Sequence, residues 1–275
     1  MNYKLVVADM DGTFLNSKHE ISNENLKVVQ ELKKRGILFS IATGRLDTMI
    51  KAYLRQIENN TPVICCNGAL LRNAIKGEFY HSHIIKRDDF LKIVDLCKKN
   101  ELIFDVFCEY TVYSESIKGR ARYYLKYNES LCEEEKVSIK IVDNIYTDLN
   151  EKVFKILIEN DNPELLGQIE EELNKISGIG AYKSTSNLLD IMAEGVTKGN
   201  ALKDLATILK IKREEIIAIG DNHNDISMLE YAGYAIAMGN AEQAVKDVAD
   251  LVTTSNDEDG VAKALREVFN INICT

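Results

Sequence analysis

Four short clusters of this 275-residue chain carry residue types that can do chemistry together. They are Asp9-Met10-Asp11-Gly12-Thr13, Thr43-Gly44-Arg45, Lys198-Gly199 and Gly220-Asp221-Asn222-His223-Asn224-Asp225. Between them they offer several carboxylates, two hydroxyls, an amine and two amides. Carboxylates brought close to one another repel, which raises their pKa values. A divalent cation removes that conflict, and an oxygen-rich set with little sulfur or imidazole suits Mg²⁺, which commonly bridges one or two carboxylates to a phosphate. Thr43 and Lys198 then supply the donor and the positive charge that a transferring phosphoryl group needs. An aspartate in such a place can also act as nucleophile.

The elements around these clusters explain how they meet. Leu5 to Ala8 is a short apolar run that ends at the first aspartates. Ser22 is placed to cap a helix in which Leu26, Val29 and Leu32 share a face, with Gly36 to close it. Ile37 to Ala42 forms the next buried strand and ends at Thr43. After a further helix, Pro62 to Cys66 is read as a third strand, ending at Asn67-Gly68. Near the C-terminus Thr197 caps a helix bearing Leu202, Leu205, Ala206 and Leu209. Ile216 to Ile219 is a strand ending at Gly220-Asp221, and a helix through Met228 and Leu229 follows. Tyr234 to Met238 and Leu251-Val252 are strands before a last helix from Asp259 to about Phe269. Short apolar strands alternating with helices predict an α/β fold, a doubly wound parallel sheet covered on both faces. Ligands of such sheets bind beyond the carboxyl ends of the strands, where three of the four clusters lie.

The middle of the chain reads differently. Strands are expected at Leu102 to Cys108, Val153 to Ile158, Ala181 to Ser184 and Leu188 to Met192, with helical stretches such as Pro163 to Ile176 between them. That pattern predicts an inserted α+β unit over 81–193, and a core domain made of 1–80 and 194–275. The acidic run Glu133-Glu134-Glu135 reads as a solvated loop or helix end.

Composition narrows the function. The chain is 45% apolar and 28% charged, enough material for a packed core. Its 34 Lys and Arg stand against 43 Asp and Glu, a net charge of −9, which argues against nucleic acid or an acidic membrane as a partner. No apolar run reaches the roughly 18 residues of a membrane span, and the N-terminus lacks the layout of a secretory signal. The six cysteines, Cys65, Cys66, Cys97, Cys108, Cys132 and Cys274, form no CxxC pair and read as thiols in a reducing compartment. The expected location is cytoplasmic.

The four clusters, in this order and at these strand ends and helix starts, resemble the ordered motifs of the haloacid dehalogenase (HAD) superfamily. With Asn67-Gly68-Ala69 and Glu194-Gly195-Val196, the chain is similar over its whole length to the Cof-type phosphatases, whose C2-type cap occupies the position of 81–193. The resemblance implies a Rossmann-like core and a Mg²⁺-dependent phosphoric monoester hydrolase acting on a small phosphorylated metabolite, such as a sugar phosphate or a phosphorylated cofactor. It implies Asp9 as nucleophile and metal ligand, and Asp11 as general acid and base whose backbone carbonyl also binds the metal. Asp221 completes the metal site. Thr43, Gly44, Lys198 and Asn224 bind the phosphoryl group, and Asp225 orients Lys198 or a metal-bound water. Ser184-Thr185-Ser186-Asn187 departs from the family's usual Ser-Ser-Pro cap segment. A phosphomutase or phosphotransferase using the same intermediate is the alternative, and a ligand-binding regulator with vestigial activity is a third reading. Outside this set, His223 reads as a surface residue, Arg45 as structural, and Arg120 to Tyr127 as a solvated amphipathic helix.

Overall fold

The computed structural model describes residues 2–129 and 131–271. In chain order the first elements are β1 (Leu5–Ala8), α1 (Asn23–Lys34), β2 (Leu38–Ile41), α2 (Lys51–Gln56), β3 (Val63–Cys65), β4 (Leu70–Asn73) and β5 (Glu78–Ser82). Next come α3 (Arg87–Lys99), β6 (Ile103–Phe107), β7 (Thr111–Ser114), α4 (Gly119–Asn128), β8 (Ser138–Ile141), α5 (Ile145–Asp148), β9 (Lys155–Glu159), α6 (Pro163–Leu173), β10 (Ile179–Thr185) and β11 (Leu188–Ala193). The chain then forms α7 (Lys198–Leu209), β12 (Ile216–Gly220), α8 (Ile226–Tyr231), β13 (Tyr234–Ala237), α9 (Gln243–Asp247), β14 (Leu251–Val252) and α10 (Gly260–Phe269). Two compact units result. One holds Met1–Gly44, Ala52–Tyr80 and Thr197–Thr275, and the other holds Arg45–Lys51 and His81–Val196.

The first unit is built on a parallel sheet of order β14-β13-β12-β1-β2. All four residues of β1 are buried, as a strand covered on both faces requires. The predicted caps are in place: Ser22 Oγ accepts from the Asn25 N–H and Thr197 Oγ1 from the Asn200 N–H, both at 3.1 Å. Gly36 closes the loop after α1 at φ 74°, a conformation that suits glycine. The third expected strand departs from the pattern. β3 meets the end of β2 through one parallel bridge, Ala42 to Ile64, and then pairs antiparallel with β4. Cys66, Asn67 and Gly68 all have positive φ, so the chain reverses within three residues instead of entering a crossover helix.

The second unit has a six-stranded sheet of order β10-β11-β9-β6-β7-β8. β7 and β8 go beyond the four strands expected. They pair in parallel, and parallel neighbours need a crossover, which α4 provides. One face of the sheet packs Phe104, Val106, Ile156 and Ile158 against Phe90 and Ile93 of α3 and Leu166 and Ile169 of α6. Alternation puts Asp105, Phe107, Lys155 and Asp190 on the other face, where the Phe107 ring meets Tyr124 of α4 edge-on. The Arg120 to Tyr127 segment thus lies within the expected helix. Glu133–Glu135 forms a single 3-10 turn. Cys65, Cys66, Cys97 and Cys108 are buried and Cys132 is exposed, while Cys274 lies outside the described residues. No helix among the described residues is long and apolar enough to cross a membrane.

Candidate active site

Register brings the motifs together. Ala8 stands opposite Ile41 on one side and Ile219 on the other, so β1, β2 and β12 end almost level. The residues that follow, Asp9, Ala42-Thr43 and Gly220-Asp221, therefore leave the sheet along one edge. The Asp9 N–H continues the ladder by donating to the Ile219 carbonyl at 2.9 Å, and the Thr43 N–H donates to the Ile64 carbonyl at 2.8 Å. The chain turns after Asp9, with the Leu15 N–H donating to the Met10 carbonyl at 2.8 Å. Gly12 makes that turn possible twice over: its φ is +79°, and any Cβ there would collide with the Asp221 carboxylate.

Lys198 is the first residue of α7 and is fully buried. Its Nζ lies 2.6 Å from Asp9 Oδ1 and 2.6 Å from Asp225 Oδ1. Burial by itself would lower the pKa of this amine, but the carboxylates of Asp225 and Asp9 hold it above its ordinary value. Packing at the start of α7 is equally tight. The Gly199 N–H donates to Ser227 Oγ at 3.0 Å, and a Cβ on Gly199 would strike the Ser227 carbonyl.

Asp225 is fully buried and both of its oxygens accept from the protein. Oδ1 takes the Lys198 ammonium, while Oδ2 accepts the Asp221 and Asn222 N–H groups, each at 3.0 Å. Asp221 keeps more freedom, with Oδ1 accepting from the Thr13 hydroxyl at 2.6 Å. Burial, followed by the charge of Asp225, pushes its carboxyl up to about 7. Burial also raises Asp9 well above the carboxylate range, reinforced by Asp225 and Asp221 and opposed by Lys198.

Ligand atoms of Asp9, Asp221 and Asp225 lie within 4.8 Å of one another. Three carboxylates beside one ammonium leave negative charge uncompensated, which adds to burial in raising the carboxyls of Asp9 and Asp221. A hard divalent cation fits this donor set. Asp225 accepts three hydrogen bonds, and through them it ties Lys198 to the Asp221 loop.

The Asp11 carboxylate is not part of this trio. It is exposed, and its Oδ1 lies 3.5 Å from His19 Nδ1 in the loop that follows. The loop is held by bridges from Leu15 to Asp11 and to Ile21, and the Gly12 carbonyl accepts from Asn240 Nδ2 at 2.8 Å. Thr43 is buried at the end of its strand. Asn224 reaches across to Asn67, its Nδ2 donating to Asn67 Oδ1 at 3.1 Å, and Gly44 is beside the same amide, a Cβ there lying 3.0 Å from Asn67 Oδ1. His223 is exposed, with Nε2 3.0 Å from Glu242 Oε2, as a surface residue should be. Arg45 groups with the second unit. Thr13, Asn67 and Ser227 join the site without having been assigned a role from sequence. The first two sit inside motifs already noted, whereas nothing local marks Ser227.

Comparison with known proteins identifies the family. A family model described as haloacid dehalogenase-like hydrolase matches residues 6–265. The 5-amino-6-(5-phospho-D-ribitylamino)uracil phosphatase YitU of Bacillus subtilis is 30% identical over 273 residues, covering 97% of this chain and 98% of its own. The pyridoxal phosphate phosphatase YbhA of Escherichia coli is 26% identical over 271 residues, covering 96% and 97%. The crystal structure of a haloacid dehalogenase-like hydrolase from Bacteroides thetaiotaomicron superposes with a TM-score of 0.84 at 30% identity, covering 97% of this chain and 100% of that one. With its motifs gathered at one sheet edge and its whole length matched by such relatives, the chain belongs to the Cof-type phosphatases of the haloacid dehalogenase superfamily.

Proposed function

We propose that this phosphatase is Mg²⁺-dependent and hydrolyses a small phosphorylated metabolite, a sugar phosphate or a phosphorylated cofactor, through an aspartyl-phosphate on Asp9. The observation that carries the reading is the Lys198 ammonium, fully buried and 2.6 Å from both Asp9 and Asp225, with Asp221 alongside. A lysine buried at a helix start, where the dipole disfavours it, makes sense beside anions. The printed substrates of YitU and YbhA, both phosphorylated small molecules, support the substrate class. The core, 1–80 and 194–275, would carry the chemistry, and the insertion 81–193 would act as a cap that selects the leaving group.

In this mechanism Asp9 attacks phosphorus, forming the Asp9–phosphorus bond as the bond to the ester oxygen breaks. Asp11, exposed at the turn after β1, gives its proton to that oxygen as the alcohol leaves. It then takes a proton from water, which attacks the phosphoryl group, releasing inorganic phosphate and restoring the Asp9 carboxylate. Lys198, with the Thr43 hydroxyl, the Gly44 N–H and the Asn224 amide, holds the phosphoryl oxygens and stabilises the charge that spreads over them. Asp225 keeps Lys198 aimed. Asp9, Asp221 and the Asp11 carbonyl would hold Mg²⁺, which would supply positive charge to the phosphoryl oxygens.

The test is a panel of phosphate monoesters assayed with Mg²⁺ for the wild type, Asp9→Asn and Asp11→Asn, with aluminium or beryllium fluoride used to trap the phosphoryl position at Asp9. Loss of turnover by roughly a thousandfold or more in Asp9→Asn, with an unchanged circular dichroism spectrum, is the expected result. Substantial turnover in that variant would exclude the covalent route. Undiminished wild-type activity in EDTA would exclude the metal.

A further inference from the structure

The segment Cys66-Asn67-Gly68 does more than reverse the chain. Its three residues have φ of 50°, 55° and 108°, so two side-chain-bearing residues in succession hold a left-handed conformation. Asparagine tolerates it well, but cysteine has no such preference. Strained backbone of this kind persists when the surroundings over-determine it, and the contacts of this turn show what does so.

Asn67 and Gly68 both reach other motifs. The Asn67 N–H donates to the Thr43 carbonyl at 3.0 Å. The Asn67 side chain, 4% exposed, accepts from Asn224 Nδ2 at 3.1 Å and lies against Gly44. Gly68 is pressed so closely on the carbonyl of Thr197, the residue that caps the helix of Lys198, that any Cβ would collide with it. One turn thus contacts the loops bearing Thr43 and Gly44, Lys198, and Asn224. Asn224 Oδ1 is buried with no partner among the described residues, so the contact to Asn67 is what sets the orientation of that amide.

We propose that Asn67 is a positioning residue of this active site: its side-chain oxygen holds the Asn224 amide by the N–H₂ end, its backbone N–H holds the Thr43 loop, and its left-handed conformation sets the neighbouring Gly68 against the Thr197 carbonyl that precedes Lys198. The proposal rests on the phosphatase reading for its kinetic consequence, but the Asn67–Asn224 link exists independently of any activity. Asn67 acts through neighbours and takes no part in bond making.

The experiment separates backbone from side chain and tests the link. Asn67→Gly removes the side chain while keeping the left-handed backbone accessible, whereas Asn67→Ala removes the amide and also strains the turn. Binding of inorganic phosphate in the presence of Mg²⁺ is measured by calorimetry, beside kcat and KM for a common ester, for Asn67→Gly, Asn224→Ala and the double variant. We expect Asn67→Gly to weaken phosphate binding about tenfold, with Tm near that of the wild type, and the double variant to be no weaker than Asn224→Ala alone. Non-additivity of this kind marks residues in one network. In NMR spectra of the wild type, the Asn224 side-chain N–H₂ should be protected from exchange, and Asn67→Gly should abolish that protection. Losses that multiply in the double variant, or an Asn224 amide unchanged in Asn67→Gly, would overturn the proposal. A wild type that binds phosphate but hydrolyses no ester would instead overturn the phosphatase reading, leaving the NMR and binding comparison to decide on Asn67.

Discussion

Asp105 is an ionisable group that the fold retains at a cost. It stands in the middle of β6, 1% exposed, on the sheet face opposite the apolar core of its unit. Burial pushes its carboxyl up to about 6; the Ser114 hydroxyl, the Ala121 N–H of α4 and the Arg120 charge oppose this, and Glu159 adds to it. The folded protein therefore binds this proton more tightly than the unfolded chain does. Its stabilising contribution is fully present below the ordinary value of 3.8 and is lost as pH rises through about 6. At roughly 1.4 kcal/mol per pH unit, the difference between 3.8 and about 6 amounts to about 3 kcal/mol. Asn has no charge to desolvate and keeps an acceptor for Ala121 or Ser114. Asp105→Asn should consequently be more stable than the wild type by about 1–3 kcal/mol at pH 8, with the advantage gone near pH 4. Urea denaturation followed by circular dichroism at pH 4, 6 and 8 measures this directly. A variant less stable at pH 8, or a difference that does not change with pH, would refute the reasoning. It would show that the bonds from the start of α4 outweigh the desolvation of the carboxylate.

The site yields further expectations. Lys198→Met leaves Asp9 and Asp225 without their shared cation, so it should cost about 3–5 kcal/mol of stability in EDTA and depress turnover on every ester alike. A loss confined to some substrates would contradict a role at the common phosphoryl group. Thr13→Val removes the hydroxyl that holds Asp221, and Mg²⁺ should then be needed at about 10–100-fold higher concentration for half-maximal activity. An unchanged Mg²⁺ titration would mean that Asp221 needs no such support. Gly199→Ala should destabilise by about 1–3 kcal/mol because α7 must move away from Ser227, read as a lower Tm beside wild type. In the insertion, Arg122→Ala and Asn187→Ala should reorder substrate preference without a uniform loss, as a panel of kcat/KM values would reveal.

Much of this was legible in the sequence because its causes are local. The aspartates of the first and last motifs follow short apolar runs, and a fully buried parallel strand needs just such a run. Ser22, Gly36 and Thr197 mark helix ends through bonds that span three residues or through one backbone angle. Sheet register then follows almost without choice: once Leu5 to Ala8 and Ile216 to Ile219 lie side by side, Asp9 and Asp221 must leave the same edge.

Other features depend on partners far apart in the chain, and no local pattern encodes them. Lys198 reads as a phosphoryl-binding group only in company with the other motifs, and nothing local shows that folding seats it between Asp9, 189 residues away, and Asp225, 27 residues away. Asp225 sits beside Asp221 in the sequence, and only the fold shows that it joins the Lys198 ammonium to the N–H groups of Asp221 and Asn222. The apolar run at Val63 to Cys65 looks like another parallel strand, yet the left-handed turn after it sends the chain back antiparallel. That turn gains its meaning from Asn224, 157 residues further on. Sequence determined which groups reach the sheet edge, because strand and helix signals are short-range. Tertiary structure alone decided which group supports which, because a buried charge or amide is defined by the partners that replace its water.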